Sequence, residues 1–127
     1  MSDAGEPASL TRLLGIHPRL MDEGAATFAL TVRPDHRNPY GAVHGGVIYS
    51  LVDTAMGAAL VTLLEQGERC ATLEIKIHYL APVTTGEIRA EARVVDRGRR
   101  VGVLEARVFG DDDRLVAIAT GSFYIQT

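Results

Sequence analysis

Cysteine is almost missing from this chain, with Cys70 the only one among 127 residues. That excludes an intramolecular disulfide and fits a reducing compartment. Cys70 itself reads as a small residue near the start of a strand. An excess of positive charge is missing too. Thirteen Lys and Arg against sixteen Asp and Glu give a formal net charge of −3, so nothing draws the chain as a whole toward nucleic acid or anionic membranes. The opening Met-Ser-Asp-Ala-Gly-Glu-Pro has neither the basic nor the apolar region of an export signal. The longest apolar run, Gly45 to Leu64, contains Asp53 and several small residues, and reads as a buried helix rather than a membrane span. A soluble, cytoplasmic protein is expected, with no nucleic-acid or membrane partner.

Several chemistries are absent as motifs. Ser50 lies in Ile-Tyr-Ser-Leu-Val, not in a G-x-S-x-G elbow. His17, His36, His44 and His78 form no i,i+4 pair, so no metal site is expected. No Walker or dinucleotide glycine pattern follows a strand. Gly110-Asp-Asp-Asp113 has too few correctly spaced oxygens for a calcium loop and reads as a solvated turn.

What is present is an ordinary globular composition, 46% apolar and 23% charged, in a length that suits one domain. Residues 1–127 are read as that domain, with 1–7 flexible. Residues 8–15 suggest a short helix ending at Gly15. Gly24–Val32 reads as a strand stopped by Arg33-Pro34, and 34–44 as an irregular connection. From Gly46 to about Gln66 the pattern is helical and apolar nearly all round, with Gly67 ending it. One stripe differs: Gly46, Tyr49, Ser50, Asp53, Met56 and Gly57 recur at spacings of three and four. After Gly67 the period becomes two. Thr72–Tyr79 alternates with Leu73, Ile75, Ile77 and Tyr79 on one face, and Lys76 and His78 face outward. Glu87–Val95, Val101–Phe109 and Leu115–Ile125 follow, joined by Gly/Asp turns as an antiparallel meander. The expected class is α+β, a long central helix wrapped by five or six antiparallel strands. Its unpaired sheet edge favours association with a second copy.

The chemistry concentrates where that helix begins. In Asn38-Pro-Tyr-Gly-Ala-Val-His44-Gly-Gly-Val-Ile-Tyr-Ser-Leu-Val-Asp53, a glycine pair at a helix start exposes N–H groups and the positive dipole end. Gly45 either simply permits the turn or offers its N–H to an oxyanion on a carbonyl, and the two are compatible. Asp53 is too deep to be a cap. A carboxylate in an apolar setting is costly, and a partly dry cleft is expected to raise its pKa and make it a usable base or nucleophile. Eight residues separate the two, roughly 12 Å along the axis, too far to touch one carbon. A two-fold dimer could bring Gly45 of one subunit against Asp53 of the other.

These residues, with the strand Thr72-Leu-Glu-Ile-Lys-Ile-His-Tyr-Leu-Ala-Pro82, the Gly-Arg turn and Leu-Val-Ala-Ile-Ala-Thr-Gly-Ser-Phe near the end, make the chain resemble the hotdog-fold acyl-CoA thioesterases of the phenylacetic-acid-degradation type across residues 10–126. The resemblance implies a hydrolase of acyl-CoA thioesters, a homotetramer made of two hotdog dimers. It implies Asp53 as nucleophile or general base and the Gly45 N–H polarising the carbonyl. Asn38 and His44 would hold the acyl end or the attacking water, and Thr72 would contact the Asp53 side. No metal or organic cofactor is implied; coenzyme A enters as part of the substrate. Gly46, Tyr49 and Met56, with loop residues around Tyr40, are candidates to line the acyl pocket. Arg97, Arg99 and Arg100 form either a solvated hairpin turn or a contact for the coenzyme A phosphates. Lys76 and His78 are further, weaker candidates for that contact. Two alternatives stand beside this reading, an acyl-thioester hydratase or dehydratase on the same fold and a non-catalytic acyl-CoA binding module.

Overall fold

A computed structural model describes residues 9–127; the reading of residues 1–7 as flexible falls outside them. The chain runs α1 (Leu10–Leu14), β1 (His17–Asp22), β2 (Ala25–Thr31), a 3-10 turn at Pro34–His36, α2 (Gly45–Val61), β3 (Arg69–Tyr79), β4 (Glu87–Arg97), β5 (Val101–Gly110) and β6 (Leu115–Gln126). The six strands form one antiparallel sheet in the order β1-β2-β4-β5-β6-β3. Helix α2 lies across one face of it, a hotdog arrangement.

Alternation explains the packing. Ala26 and Leu30 on β2, Ile88, Ala90 and Ala92 on β4, Leu104, Ala106 and Val108 on β5, and Ala117, Ala119, Phe123 and Ile125 on β6 are buried, as every second residue of a strand facing a core must be. The abundance of alanine lets α2 come close. Its own buried face comprises Val47, Ile48, Leu51, Val52, Ala55, Met56, Ala59 and Leu60, while Tyr49, Ser50, Asp53, Thr54, Gly57 and Ala58 stay half-exposed. The helix is therefore apolar on the sheet side and small or polar on the other, rather than covered all round.

Three sequence expectations change. β1 is an extra strand: His-Pro-Arg-Leu-Met-Asp is exposed at all six positions, so no alternation marks it, and proline is tolerated at a sheet edge. Helix α2 ends at Val61, before Gly67. The Thr62 hydroxyl donates to Ala59 O at 2.7 Å, and the N–H groups of Leu63 and Leu64 bond three residues back; Gly67 belongs to the next turn, with φ +86°. The third change is in β3. Its pairing with β6 shifts between Thr72 and Glu74, and a bulge reverses which residues face the helix. Ile75, Ile77 and Tyr79 face α2 as the alternation predicts, but Leu73 is 57% exposed and Thr72, itself exposed, turns its hydroxyl toward the helix instead.

Candidate active site

The connection from Arg33 to His44 is held by its own side chains. Asn38 Oδ1 accepts from the N–H groups of Tyr40 (2.9 Å) and Ala42 (3.2 Å), an Asx turn reinforced by Asn38 N–H donating to Ala42 O at 2.7 Å. The Asn38 carboxamide nitrogen donates to no group among the described residues, and Asn38 lines a cleft of about 420 Å³ with Gly45, Ile48, Tyr79, Leu80 and Val83.

At the start of α2, His44 is the N-cap in extended conformation, and its Nδ1 accepts from Gly46 N–H at 2.8 Å. That acceptor role leaves the remaining ring hydrogen on Nε2 in the neutral form. The first helical N–H groups have no partner inside a helix. Because His44 takes the Gly46 N–H, the Gly45 N–H remains unbonded among the described residues, at the positive end of a 17-residue helix. Beside it the Tyr79 hydroxyl donates to Gly45 O at 2.7 Å. A Cβ on residue 45 would stand 3.1 Å from Tyr79 Cζ, so glycine is what lets the ring lie against the helix start. Burial, and secondarily the nearby Tyr49, pushes the Tyr79 hydroxyl pKa up, keeping it a donor.

The second cluster lies two turns along. The Thr72 hydroxyl donates to Asp53 Oδ1 at 2.7 Å, a contact that the β3 bulge creates. Cys70 is next to it. Burial first and the Asp53 charge second push its thiol pKa up, so it stays a neutral thiol beside the carboxylate.

Sequence reasoning therefore finds two separate clusters, one with Asn38, His44 and Gly45, the other with Asp53 and Thr72. Gly46 sits in the first as the partner of the His44 ring. Met56 is set apart from both clusters. It is 0% exposed, with its sulfur where a side chain on Gly121 would stand; three residues beyond Asp53, it rotates about 60° off the stripe toward the sheet, whereas Gly57 stays on it. Tyr40 is 94% exposed at the loop tip and outside the cleft. Tyr49 is half-buried near Tyr79. Arg97 is held by an ion pair to Glu68 and by Gly98 O at 2.8 Å, while Arg99 and Arg100 are exposed. Lys76 and His78 line a groove of about 610 Å³ on the sheet face away from α2. Tyr79 and His36 are the residues that sequence reasoning missed. The alternation already placed Tyr79 on the helix side, but nothing in the sequence signals His36.

Among the described residues no three His, Cys, Asp or Glu side chains converge as a metal site, and no helix is long and apolar enough to cross a membrane. Residues 40–117 match the sequence profile of the thioesterase superfamily. The acyl-coenzyme A thioesterase PaaI of Escherichia coli is 31% identical over 117 residues, covering 91% of this chain and 81% of that protein. Among solved structures, conserved protein PA5202 of Pseudomonas aeruginosa superposes with a TM-score of 0.90 at 37% identity, covering 94% of this chain and 95% of that one. Thioesterase HI1161 of Haemophilus influenzae superposes with a TM-score of 0.90 at 25% identity, covering 94% and 83%. With the fold, the glycine-led helix start and these likenesses in agreement, the chain belongs to the thioesterase superfamily and is a hotdog thioesterase of the PaaI-like type.

Proposed function

We propose that this thioesterase hydrolyses acyl-CoA and that each active site is completed across a two-fold dimer. The observation that carries the reading is the unbonded Gly45 N–H at the start of α2, with the His44 ring turned to cap Gly46 and an apolar cleft alongside. A donor so placed stabilises the oxyanion that forms when a thioester carbonyl becomes tetrahedral. Asp53 supplies the carboxylate that attacks that carbon or takes the proton of the attacking water. Thr72 orients it. The free Asn38 amide and His44 Nε2–H are donors for the acyl carbonyl or that water.

Both clusters lie along β3, an edge strand of the sheet. Tyr79 touches the Gly45 cluster and Thr72 the Asp53 cluster. Because the bulge removes one step between Thr72 and Glu74, pairing two copies of β3 antiparallel about Lys76 sets Thr72 of one opposite Tyr79 of the other, which supports a shared site. Ile125, paired with Cys70, donates its N–H to Arg100 O at 2.7 Å, so the β4–β5 hairpin sits at the Asp53 end of the sheet. Exposed Arg99 and Arg100 are thereby favoured over Arg97 for the coenzyme A phosphates. The dimers pair further into a homotetramer in the cytoplasm, and the reaction requires neither metal nor organic cofactor.

The test is a panel of aromatic and medium-chain acyl-CoA esters followed by free-thiol release. Wild type is expected to release thiol, and folded Asp53→Asn to lose at least about 10²-fold in kcat. Undiminished Asp53→Asn turnover contradicts the reading. Hydration of an enoyl thioester without thiol release assigns a hydratase instead.

A further inference from the structure

His36 is 1% exposed, and no other polar or charged residue is buried so completely among the described residues. No step of the proposed hydrolysis uses it. Its surroundings are fully specified. Arg33 N–H donates to Nδ1 at 2.9 Å, so Nδ1 carries no hydrogen and Nε2 must donate to Leu14 O at 2.8 Å. Leu14 is the last residue of α1, where a carbonyl has no partner within the helix. Arg33 adds a second tie, its guanidinium donating to Leu13 O at 2.7 Å. The backbone of His36 faces the other way. Its carbonyl accepts the N–H of His44, the N-cap of α2, at 2.8 Å.

The ring thus anchors the peptide that holds the helix cap. The chain of contacts runs from the end of α1 through the His36 ring and carbonyl to His44 N–H, and from the His44 ring to Gly46 N–H. We propose that His36 is a positioning residue for the oxyanion half of the active site: as a neutral Nε2–H imidazole bonded at both nitrogens, it sets the orientation of His44 and hence of the unbonded Gly45 N–H. This rests on the reading of Gly45 as an oxyanion donor. A buried group with both nitrogens bonded has one geometry available to it, and a donor displaced by about 1 Å can cost about 10²-fold in rate.

The test uses His36→Asn, which keeps an acceptor for Arg33 N–H but loses the reach to Leu14, and His36→Leu, which fills the space and makes neither bond. Per folded protein, kcat for thiol release is expected to fall about tenfold in His36→Asn and about 10²-fold in His36→Leu, with KM nearly unchanged. Nitrogen NMR of the wild-type ring is expected to show the Nε2–H tautomer. The Gly45 and Gly46 amide signals are expected to move in the variants, while the reaction rate of the Cys70 thiol, a marker of the Asp53 half, stays at the wild-type value. A purely structural role would lower Tm and the folded fraction without changing kcat per folded molecule. Native kcat in folded His36→Asn, unmoved Gly45 and Gly46 signals, or the opposite tautomer overturns the proposal. If His36→Leu does not fold, His36→Asn and the tautomer decide. If the wild type releases no thiol at all, the hydrolase reading fails, and the tautomer and glycine signals still decide whether His36 positions the helix start.

Discussion

Gly45→Ala separates stability from catalysis at the helix start. The added methyl would stand 3.1 Å from Tyr79 Cζ and 3.2 Å from its hydroxyl oxygen, tighter than ordinary carbon contact by a few tenths of an ångström. Tyr79 must therefore retreat, and its 2.7 Å bond to Gly45 O weakens, a cost of about 1 kcal/mol. Alanine is favoured over glycine within a helix by up to about 1 kcal/mol, so the two effects nearly cancel. Tm is expected to stay within about 4 °C of wild type. Catalysis has no such offset. The methyl leaves the backbone N–H in place but crowds it and moves the cleft wall, and a donor displaced by about 1 Å costs about 10² in kcat, equivalent to about 3 kcal/mol of transition-state stabilisation. Thiol release per folded molecule, alongside thermal unfolding by circular dichroism, measures both. Tyr79→Phe is the control: it removes the hydroxyl bond and keeps the ring, and should lower stability by about 1 kcal/mol while reducing kcat less than tenfold. A folded Gly45→Ala protein with kcat within about threefold of wild type would contradict the oxyanion role, because that is far below the loss expected of a displaced donor.

Other substitutions probe the second cluster and the hairpin. Thr72→Val removes the hydrogen bond that orients Asp53 and should lower kcat about tenfold, with a stability loss of about 1 kcal/mol, read by the same two assays. In Asp53→Asn the negative charge beside Cys70 is gone, so the Cys70 pKa should fall. More of it is then thiolate at pH 8, and a disulfide reagent should react faster. Part of the elevation remains, since burial is its larger cause. An unchanged rate would place the Asp53 carboxylate away from Cys70. Arg97→Ala breaks the Glu68 ion pair, both side chains of which are largely buried, and should cost about 2 kcal/mol without changing KM. Arg99→Ala with Arg100→Ala should raise KM for acyl-CoA but not for a short thioester lacking the nucleotide. Equal KM changes for both substrates would remove these arginines from phosphate binding.

Much of the fold was legible because local chemistry and tertiary context agree. Gly15 does cap α1 in left-handed geometry, and the meander β4-β5-β6 follows from alternation and short turns. The start of α2 was readable from His44-Gly45-Gly46. Its end was not, since residues 62–66 remain apolar enough to continue the pattern while Thr62 turns its hydroxyl back on the helix. β1 has water on both faces and carries no period. The β3 bulge is the most instructive difference: a strict period of two put Leu73 on the helix side, and a single shifted pairing turns the exposed Thr72 toward α2 instead. The likeness to a family had already suggested Thr72, whereas alternation alone argued against it. Met56 is buried by helix geometry, its place in the i+3 row lying on the sheet side. His36 was hidden for another reason. Its role depends on contacts to Leu14, Arg33 and His44, and no local pattern encodes a meeting of three separate segments.

The central claim is that the Gly45 and Asp53 clusters act together only between subunits. Complementation tests it directly. Gly45→Ala and Asp53→Asn chains, each inactive alone and carrying different tags, are refolded together and the doubly tagged dimer is isolated. A shared site places both lesions in one of the two sites and leaves the other intact, so thiol release should return to about half the wild-type rate per dimer. If each site is built within one chain, both sites of the mixed dimer carry a lesion and its rate stays at that of the single variants, which would contradict the shared site.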